Sequence, residues 1–224
     1  MISGFFKAVA QLGDKRISRV ILGSLLGTAL LLGGLGWAAT DFLSRLSVSD
    51  WGWLDGIVRF VSDIGVFVLI LLVFPLFFSL IASLFLETVA DAVEDRHFPA
   101  LPAARGLSIP ASFWVAVKFS LVVLALNILV LPLYLIPAIN LGVFYALNGY
   151  LLGREYFELV GLRRLDPAAA RRLRRANQGP LFVAGLIITV LTTIPVVNLL
   201  APVIATAFMT HVFHGLPPTP APRA

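Results

Sequence analysis

Long runs of apolar residues without any charge dominate the hydrophobic pattern of this chain. Four such runs cover 20–40, 64–86, 119–153 and 176–210. Each of the first two holds about 20 residues, the length that one helix needs to cross a hydrocarbon core about 30 Å thick. The pattern therefore predicts an all-α integral membrane protein whose two long transmembrane helices lie at 20–40 and 64–86.

The third and fourth runs are too long for one crossing, and both carry the same motif. "IPAINL" begins at Ile136 and "IPVVNL" at Ile194. About 35 residues of helix would measure about 52 Å, whereas two full crossings need roughly 40 residues and a turn. We predict a helical hairpin at each motif, hairpin 1 over 111–160 and hairpin 2 over 178–214, which enters the bilayer only partly and leaves by the same face. The alternative is a pair of proline-kinked helices that cross completely.

Proline and asparagine give a physical reason for the backbone to turn at these motifs. Proline lacks the N–H of a regular helix and pushes the preceding residue out of the α region. Asparagine can cap a new helix or adopt left-handed geometry. The predicted turn residues are Pro137, Asn140, Pro195 and Asn198. Because lipid cannot hydrogen-bond exposed backbone, turns at membrane depth indicate a site or an oligomeric contact.

The composition and the placement of charge support a membrane protein and predict its orientation. Hydrophobic residues make up 59% of the chain and charged residues 13%, against about 25% charged in soluble domains. Of the 17 basic residues, only Arg45 and Arg59 lie in the connector between the two transmembrane helices. The positive-inside rule then places both termini in the cytoplasm.

The remaining segments complete one predicted membrane domain over 1–214. An amphipathic pattern in 1–18 predicts a helix that lies along the interface. Residues 87–98 predict a cytoplasmic extension of the second transmembrane helix. The proline-rich tail 215–224 is predicted to be disordered.

A basic segment at the start of the first transmembrane helix is the first candidate site. The sequence "GDKRISR" places Lys15, Arg16 and Arg19 close to Gly13. A helix N-terminus carries partial positive charge and free N–H groups, so this segment predicts binding of a tetrahedral oxyanion. Asp14 would repel an anion, and the alternative is ordinary positive-inside flanking.

A second basic segment runs from Arg154 to Arg175. It lacks the aromatic interleaving of a nucleic-acid surface, so we expect no nucleic-acid partner. Arginines beside a membrane are attracted to anionic lipids by about 1 kcal/mol each, which predicts membrane lipids as partners. The predicted lipid-facing cluster comprises Arg163, Arg164, Arg171, Arg172, Arg174 and Arg175.

Other polar residues offer weaker candidates. The acidic helix face after the second transmembrane helix is solvated, pairs with the cytoplasmic arginines or acts as a gate; it comprises Glu87, Asp91, Glu94 and Asp95. Asn127 and Asn148 would form bonds across helices or line a path. His211 and His214 have a spacing that can bind metal, but no third ligand accompanies them, so no metal is expected. The chain has no cysteine and no catalytic or nucleotide-binding motif, so neither an enzyme nor a cofactor is expected.

Four segments carry a resemblance to a known family: "ETVADAVEDRHFP", "IPAINLGVFYALNGYLLGREYFE", "RRLRRANQGPLFVAGL" and "IPVVNLLAPVIATAFMTHVF". The chain resembles, over most of 15–214, the family that groups CysZ-type sulfate permeases with etoposide-induced membrane proteins. The resemblance implies a bacterial inner-membrane protein with partly penetrating hairpins, a homo-oligomer and passage of sulfate. In the family's anion motif, Gly13 and Arg16 match, Lys15 replaces an arginine and Asp14 departs from an apolar position.

Two functions follow as hypotheses. The first is transport of a small inorganic oxyanion, with sulfate as the candidate. The alternative is a non-transporting membrane scaffold or stress-related protein that binds anionic lipid or a partner through its cytoplasmic arginine cluster.

Overall fold

A computed structural model describes residues 1–45 and 52–217 of the chain. In chain order, its α-helices are α1 (Ile2–Ala10), α2 (Lys15–Ser44), α3 (Gly52–Ser83), α4 (Leu86–His97), α5 (Ile109–Tyr134), α6 (Pro137–Gly161), α7 (Pro167–Ala176), α8 (Gln178–Thr193) and α9 (Pro195–His214). No strand occurs within these two ranges, and four helices are long and apolar enough to span a membrane: α2, α3, α5 and most of α9. The prediction of an all-α membrane protein is confirmed.

The two transmembrane helices predicted from the sequence correspond to α2 and α3, which pack against each other. Along α2 a buried stripe of Ser24, Thr28, Leu32 and Gly36 repeats every four residues, which places these positions on one helix face. At Gly36 a Cβ atom would overlap the side chain of Ile70, so the helices approach closely there. The outer faces of both helices remain exposed and apolar, as lipid requires.

The flanking segments pack more closely than the sequence indicated. A short turn at 84–85 separates α3 from α4, so residues 87–98 do not continue the transmembrane helix without interruption. The first helix, α1, packs on α9: the ring of Phe5 lies 5.7 Å from that of Phe208, edge to face. Of the predicted disordered tail, Leu216 packs against the core, and 218–224 lie outside the described residues.

Helix α9 is the most buried long helix of the bundle. Almost every side chain from Ala201 to Phe213 is buried or half-buried, and α9 contacts α1, α3, α4, α6 and α8. Several of its buried residues are small, including Ala201, Ala205 and Ala207, which lets neighbouring helices approach from several sides. The last apolar run is therefore the centre of the molecule.

Glycines hold hairpin 1 against hairpin 2. A Cβ atom on Gly185 of α8 would overlap the backbone carbonyl of Gly149 on α6, and one on Gly153 would overlap the carbonyl of Leu181. Without side chains, the two backbones can touch, which is how small residues join helices in membranes. Gly149 and Gly153 have G-x-x-x-G spacing, a sequence signal for close packing of two membrane helices.

Both predicted turns lie between helices and have nearly the same backbone. Ile136 has φ −98° and ψ 105°, and Ile194 has φ −95° and ψ 111°. This extended geometry is what a following proline imposes, and each proline then becomes the first residue of the next helix. The amides of Asn140 and Asn198 donate to the carbonyls of Ile136 and Ile194 at 3.0 and 2.7 Å.

The turn asparagines have neither of the roles expected from the sequence. Among the described residues only Gly106 has a positive φ, so neither asparagine adopts left-handed geometry. Each lies in the first turn of its helix rather than at the N-cap. Asn140 instead donates its side-chain amide to the carbonyl of Tyr134 at 3.2 Å, which satisfies the end of the preceding helix.

The helices of the two hairpins differ in length. At about 1.5 Å per residue, α5 and α6 measure about 39 and 37 Å, but α8 only about 24 Å. Helix α7 meets α8 at an angle of 89°. Partial penetration of the bilayer by the hairpins stays a prediction.

Candidate functional site

Charged side chains from distant parts of the chain meet at one end of the bundle. This charged end holds α1, α4, α7 and the loop 98–108. At its centre Glu94 of α4 is 3% exposed and accepts hydrogen bonds from three cationic or titratable side chains. Arg164 donates at 2.6 and 3.1 Å, Arg163 at 3.2 Å, and His214 lies 2.9 Å away. We refer to these four residues as the Glu94 cluster.

The Glu94 cluster keeps its carboxylate ionised. Burial opposes ionisation, but the hydrogen bonds from His214 and Arg164 and the charges of Arg163 and Arg164 outweigh it, so the pKa of Glu94 falls to about 2. Because an ionised carboxylate only accepts, His214 is the donor in its bond to Glu94. The cluster joins α4 to the segment after α6 and to the end of α9.

Arg163 and Arg164 also hold the loop 98–108 in place. The carbonyl of Arg163 accepts the amides of Arg105 and Gly106, both at 3.2 Å. The guanidinium of Arg164 donates to the carbonyl of Pro102. The loop turns at Gly106, whose φ of 63° suits glycine. These bonds place the loop along the wall of a cavity.

This polar cavity has a volume of about 610 Å³ and balanced charge. Its charged lining consists of Arg16, Arg105, Arg163, Arg164, Glu87, Asp91, Glu94 and Asp95. Asp91 pairs with Arg163, Glu94 with both Arg163 and Arg164, and Asp95 with Arg16 at 2.5 Å. Three of the four acids on α4 therefore pair with arginines, which was one of the alternatives, and the cavity wall carries both signs of charge.

The predicted anion-binding segment lies at the rim of this cavity, but an aspartate side chain of the segment already caps the helix N-terminus. Asp14 is the N-cap of α2 and accepts the amide of Arg16 at 2.9 Å, so one N–H that an anion would need is already bonded. Gly13, Lys15 and Arg19 are exposed. Arg16 lines the polar cavity and also, with Arg19, a second cavity.

This second cavity is a mostly apolar groove of about 310 Å³ between α2 and the start of α4. It will be called the apolar groove. Its lining consists of Arg16, Arg19, Val20, Gly23, Phe85 and Thr88.

The predicted lipid-facing arginines divide into two groups. Arg163 is buried, and Arg164 is half-buried; both face Glu94 rather than lipid, which corrects their assignment. Arg174 is half-buried and lies 3.6 Å from Glu158. The exposed members share one face of α7; they are Arg171, Arg172 and Arg175.

The turn residues lie far from the charged end. Along α6, Pro137 is about 37 Å from Gly161, and along α9, Pro195 is about 30 Å from His214. Two of the asparagines in the apolar runs bond within their own helices rather than across helices. Asn127 and Asn148 donate to carbonyls four residues earlier in their own helices, at 2.9 and 2.8 Å.

The central role of Glu94 was missed, although a signal for it existed. On a helix, residues 86, 90, 93 and 94 share one face, and Leu86, Ala90 and Val93 are apolar. A carboxylate on an apolar stripe is buried only with partners, so the pattern indicates a buried, paired Glu94, although it does not say which cations pair with it.

Comparison with known proteins agrees with this architecture. The family model described as Sulfate transporter CysZ/Etoposide-induced protein 2.4 matches residues 4–202, which is most of the chain. No curated protein matches. The resemblance inferred from the sequence is confirmed. The family supports a role in membrane transport for a multi-pass membrane protein and fits a protein that is not an enzyme. The chain therefore belongs to the Sulfate transporter CysZ/Etoposide-induced protein 2.4 family.

Proposed function

We propose that this protein carries a small inorganic oxyanion, with sulfate as the first candidate, across the bacterial inner membrane. It acts as a homo-oligomer with both termini in the cytoplasm, so the charged end faces the cytoplasm. The observation that carries the proposal is the polar cavity, whose wall includes Arg16 and Arg105, two arginines that form no ion pair with a buried carboxylate among the described residues.

The cost of releasing each arginine decides which ones receive the anion. The Arg16–Asp95 pair is exposed on both sides, at 56% and 65%, so opening it costs at most about 1 kcal/mol. Separating Glu94 from Arg163 or Arg164 would leave a buried charge and cost about 3–5 kcal/mol. Arg105 is exposed and has no ion pair among the described residues. An incoming oxyanion therefore displaces Asp95 and binds Arg16 and Arg105.

The balanced charge of the cavity suits a site that passes an oxyanion on better than one that binds it tightly. A conducting site must bind its ion strongly enough to admit it and weakly enough to release it. The carboxylates around the arginines weaken the attraction for a doubly charged anion. Exposed Lys15 and Arg19 beside the cavity raise the local concentration of anions and so favour entry.

Uptake of radiolabelled sulfate into proteoliposomes tests the proposal. We expect uptake above that of empty vesicles, with competition by excess selenate, another tetrahedral oxyanion, but not by chloride. Replacing Arg16 and Arg105 together by glutamine should reduce uptake at least about tenfold, since two charge-assisted contacts are lost.

The matched control is Arg175→Gln, which removes an exposed arginine on α7 that does not line the cavity. It should retain uptake. An intact oligomer that takes up no more sulfate than empty vesicles would contradict transport of sulfate. Equal losses in the double variant and the control would contradict the assigned site.

A second candidate function is a scaffold that binds anionic lipid or an acidic partner. Three exposed arginines on one face of α7, and its 89° angle to α8, favour this candidate. It predicts that replacing Arg171, Arg172 and Arg175 together by glutamine abolishes binding of the lipid or partner. Replacing Arg16 and Arg105 by glutamine should leave that binding unchanged.

A further inference from the structure

The apolar groove between α2 and α4 has a polarity gradient that the transport proposal does not explain. On α2, Arg16, Val20 and Gly23 follow at intervals of four and three residues, and Arg19 lies four residues before Gly23, so all four share one face. Phe85 and Thr88, three residues apart, form the opposite wall. The distance from Arg16 to Gly23 along the helix is about 10 Å, and both charges lie in the half that begins at Arg16.

The end of the groove beside Gly23, called its lower part, is open and apolar. At Gly23 no atom lies within 4 Å of the position that a Cβ atom would take, so the space beside the helix is empty. The neighbouring walls are Val20 and the exposed ring of Phe85. A small hydrated anion would lose its water there without gaining partners, whereas a hydrocarbon chain would fit.

The upper part of the groove is cationic. Arg19 is exposed and has no ion pair among the described residues, and Arg16 has only the exposed pair with Asp95. Thr88 lines the opposite wall, and its side chain carries a hydroxyl group, which can donate a hydrogen bond. Two guanidinium groups and a hydroxyl match the oxygens of a phosphate group.

We infer that this groove binds an anionic phospholipid, with its phosphate at Arg16 and Arg19 and an acyl chain beside Gly23. The first transmembrane helix is predicted to enter the hydrocarbon near Val20, which places the arginines at the level of lipid phosphates. The polar cavity then binds the small oxyanion, and the apolar groove binds the anionic phospholipid. Arg16, which lines both, is the point where bound lipid and transported anion would meet.

A steric variant tests the groove without changing any charge. Gly23→Leu fills the empty space, and Gly33→Leu is its matched control: Gly33 is also an exposed glycine of α2 with no atom within 4 Å of a Cβ position. The purified protein is titrated with phosphatidylglycerol, phosphatidylcholine or inorganic phosphate, and bound lipid is counted by native mass spectrometry. Sulfate is omitted, so the result does not depend on transport.

We expect one tightly bound phosphatidylglycerol for each protomer, weaker binding of phosphatidylcholine, and no competition from millimolar inorganic phosphate. Gly23→Leu should weaken phosphatidylglycerol binding about tenfold, while Gly33→Leu should not. Arg19→Gln, a surface change that leaves the fold intact, should weaken phosphatidylglycerol binding about fivefold, as expected for one arginine at a headgroup.

Equal binding of phosphatidylglycerol by the two leucine variants would overturn the inference. Displacement of the lipid by inorganic phosphate would overturn it as well, because the acyl chain would then contribute nothing.

Discussion

Hairpin 1 and hairpin 2 have nearly the same turn but very different surroundings. The backbone angles at Ile136 and Ile194 agree within a few degrees, and each proline begins the next helix. Yet no residue in the most apolar 18-residue segment of α5 is buried, whereas 61% of the residues in the corresponding segment of α9 are buried. Helix α5 carries large exposed side chains such as Trp114 and Leu129, whereas α9 carries buried alanines and threonines. The arms of the hairpins therefore differ in burial although their turns agree, so the turn does not determine which helix occupies the interior.

The contact between the two hairpins should be the most sensitive point. Gly185→Leu would place a side chain where the backbone of Gly149 now lies, so we expect loss of folded protein, more than about 3 kcal/mol. Size-exclusion profiles and thermal melts in mild detergent measure it. Gly142→Leu on α6 is the control, since a Cβ atom there meets nothing within 4 Å. Equal melting temperatures for the two variants would show that the glycine contact does not hold the hairpins together.

The Glu94 cluster joins the charged ends of both hairpins and should rank next. Glu94→Gln leaves buried Arg163 without its full counter-charge, so we expect a loss of about 3–5 kcal/mol at neutral pH. Glu87→Gln, at an exposed residue of the same helix, should change little. The readout is again the thermal melt.

The pH dependence of this difference follows from the pKa of Glu94, which is lowered from 4.5 to about 2. A carboxyl whose folded pKa is lowered stabilises the fold above its ordinary pKa and loses that contribution as the pH falls toward the folded value. The gap between wild type and Glu94→Gln should therefore be full at pH 7 and shrink between pH 4.5 and 2. A gap that widens on acidification would contradict an ionised Glu94.

The two turns should differ slightly in stability despite their shared backbone. Asn140 bonds the carbonyl of Tyr134, and the side chain of Asn198 makes no such bond among the described residues. We expect Asn140→Ala to cost about 0.5–1.5 kcal/mol and Asn198→Ala less. Denaturant titrations of the paired variants would measure this, and a larger loss at Asn198 would refute the comparison.

The last prediction concerns the depth of the two turns in the membrane, and its expected result is that neither turn is labelled from outside the cell. In this cysteine-free chain, single cysteines at Leu135 and Ile194 should not react with a membrane-impermeant maleimide added outside the cell. Ser44→Cys, at the end of α2, should react, because the proposed orientation places the connector that follows α2 outside the cytoplasm. If both turns react, the hairpins cross completely; if one reacts, they differ in depth as they do in burial.

Local features of the molecule could be predicted from the sequence alone. Lipid imposes long apolar helices, and the proline of an Ile-Pro pair favours an extended isoleucine before a new helix. Proline by itself was not sufficient: Pro75, Pro132 and Pro202 all lie inside helices. The positions of the two turns and the concentration of arginines outside the long helices are therefore properties of short segments.

Tertiary structure decided which of these segments meet. Arg163 is 69 residues from Glu94 along the chain, and His214 is 120 residues from it, so no local pattern could assign Arg163 to a buried ion pair and Arg171 to the surface. The contact between Gly149 and Gly185, and the placement of α9 at the centre, likewise depend on how separate helices fit. Lipid solvates every apolar helix face about equally well, so hydrophobicity chose the helices, and only the close fit of small residues and the pairing of buried charges chose their neighbours.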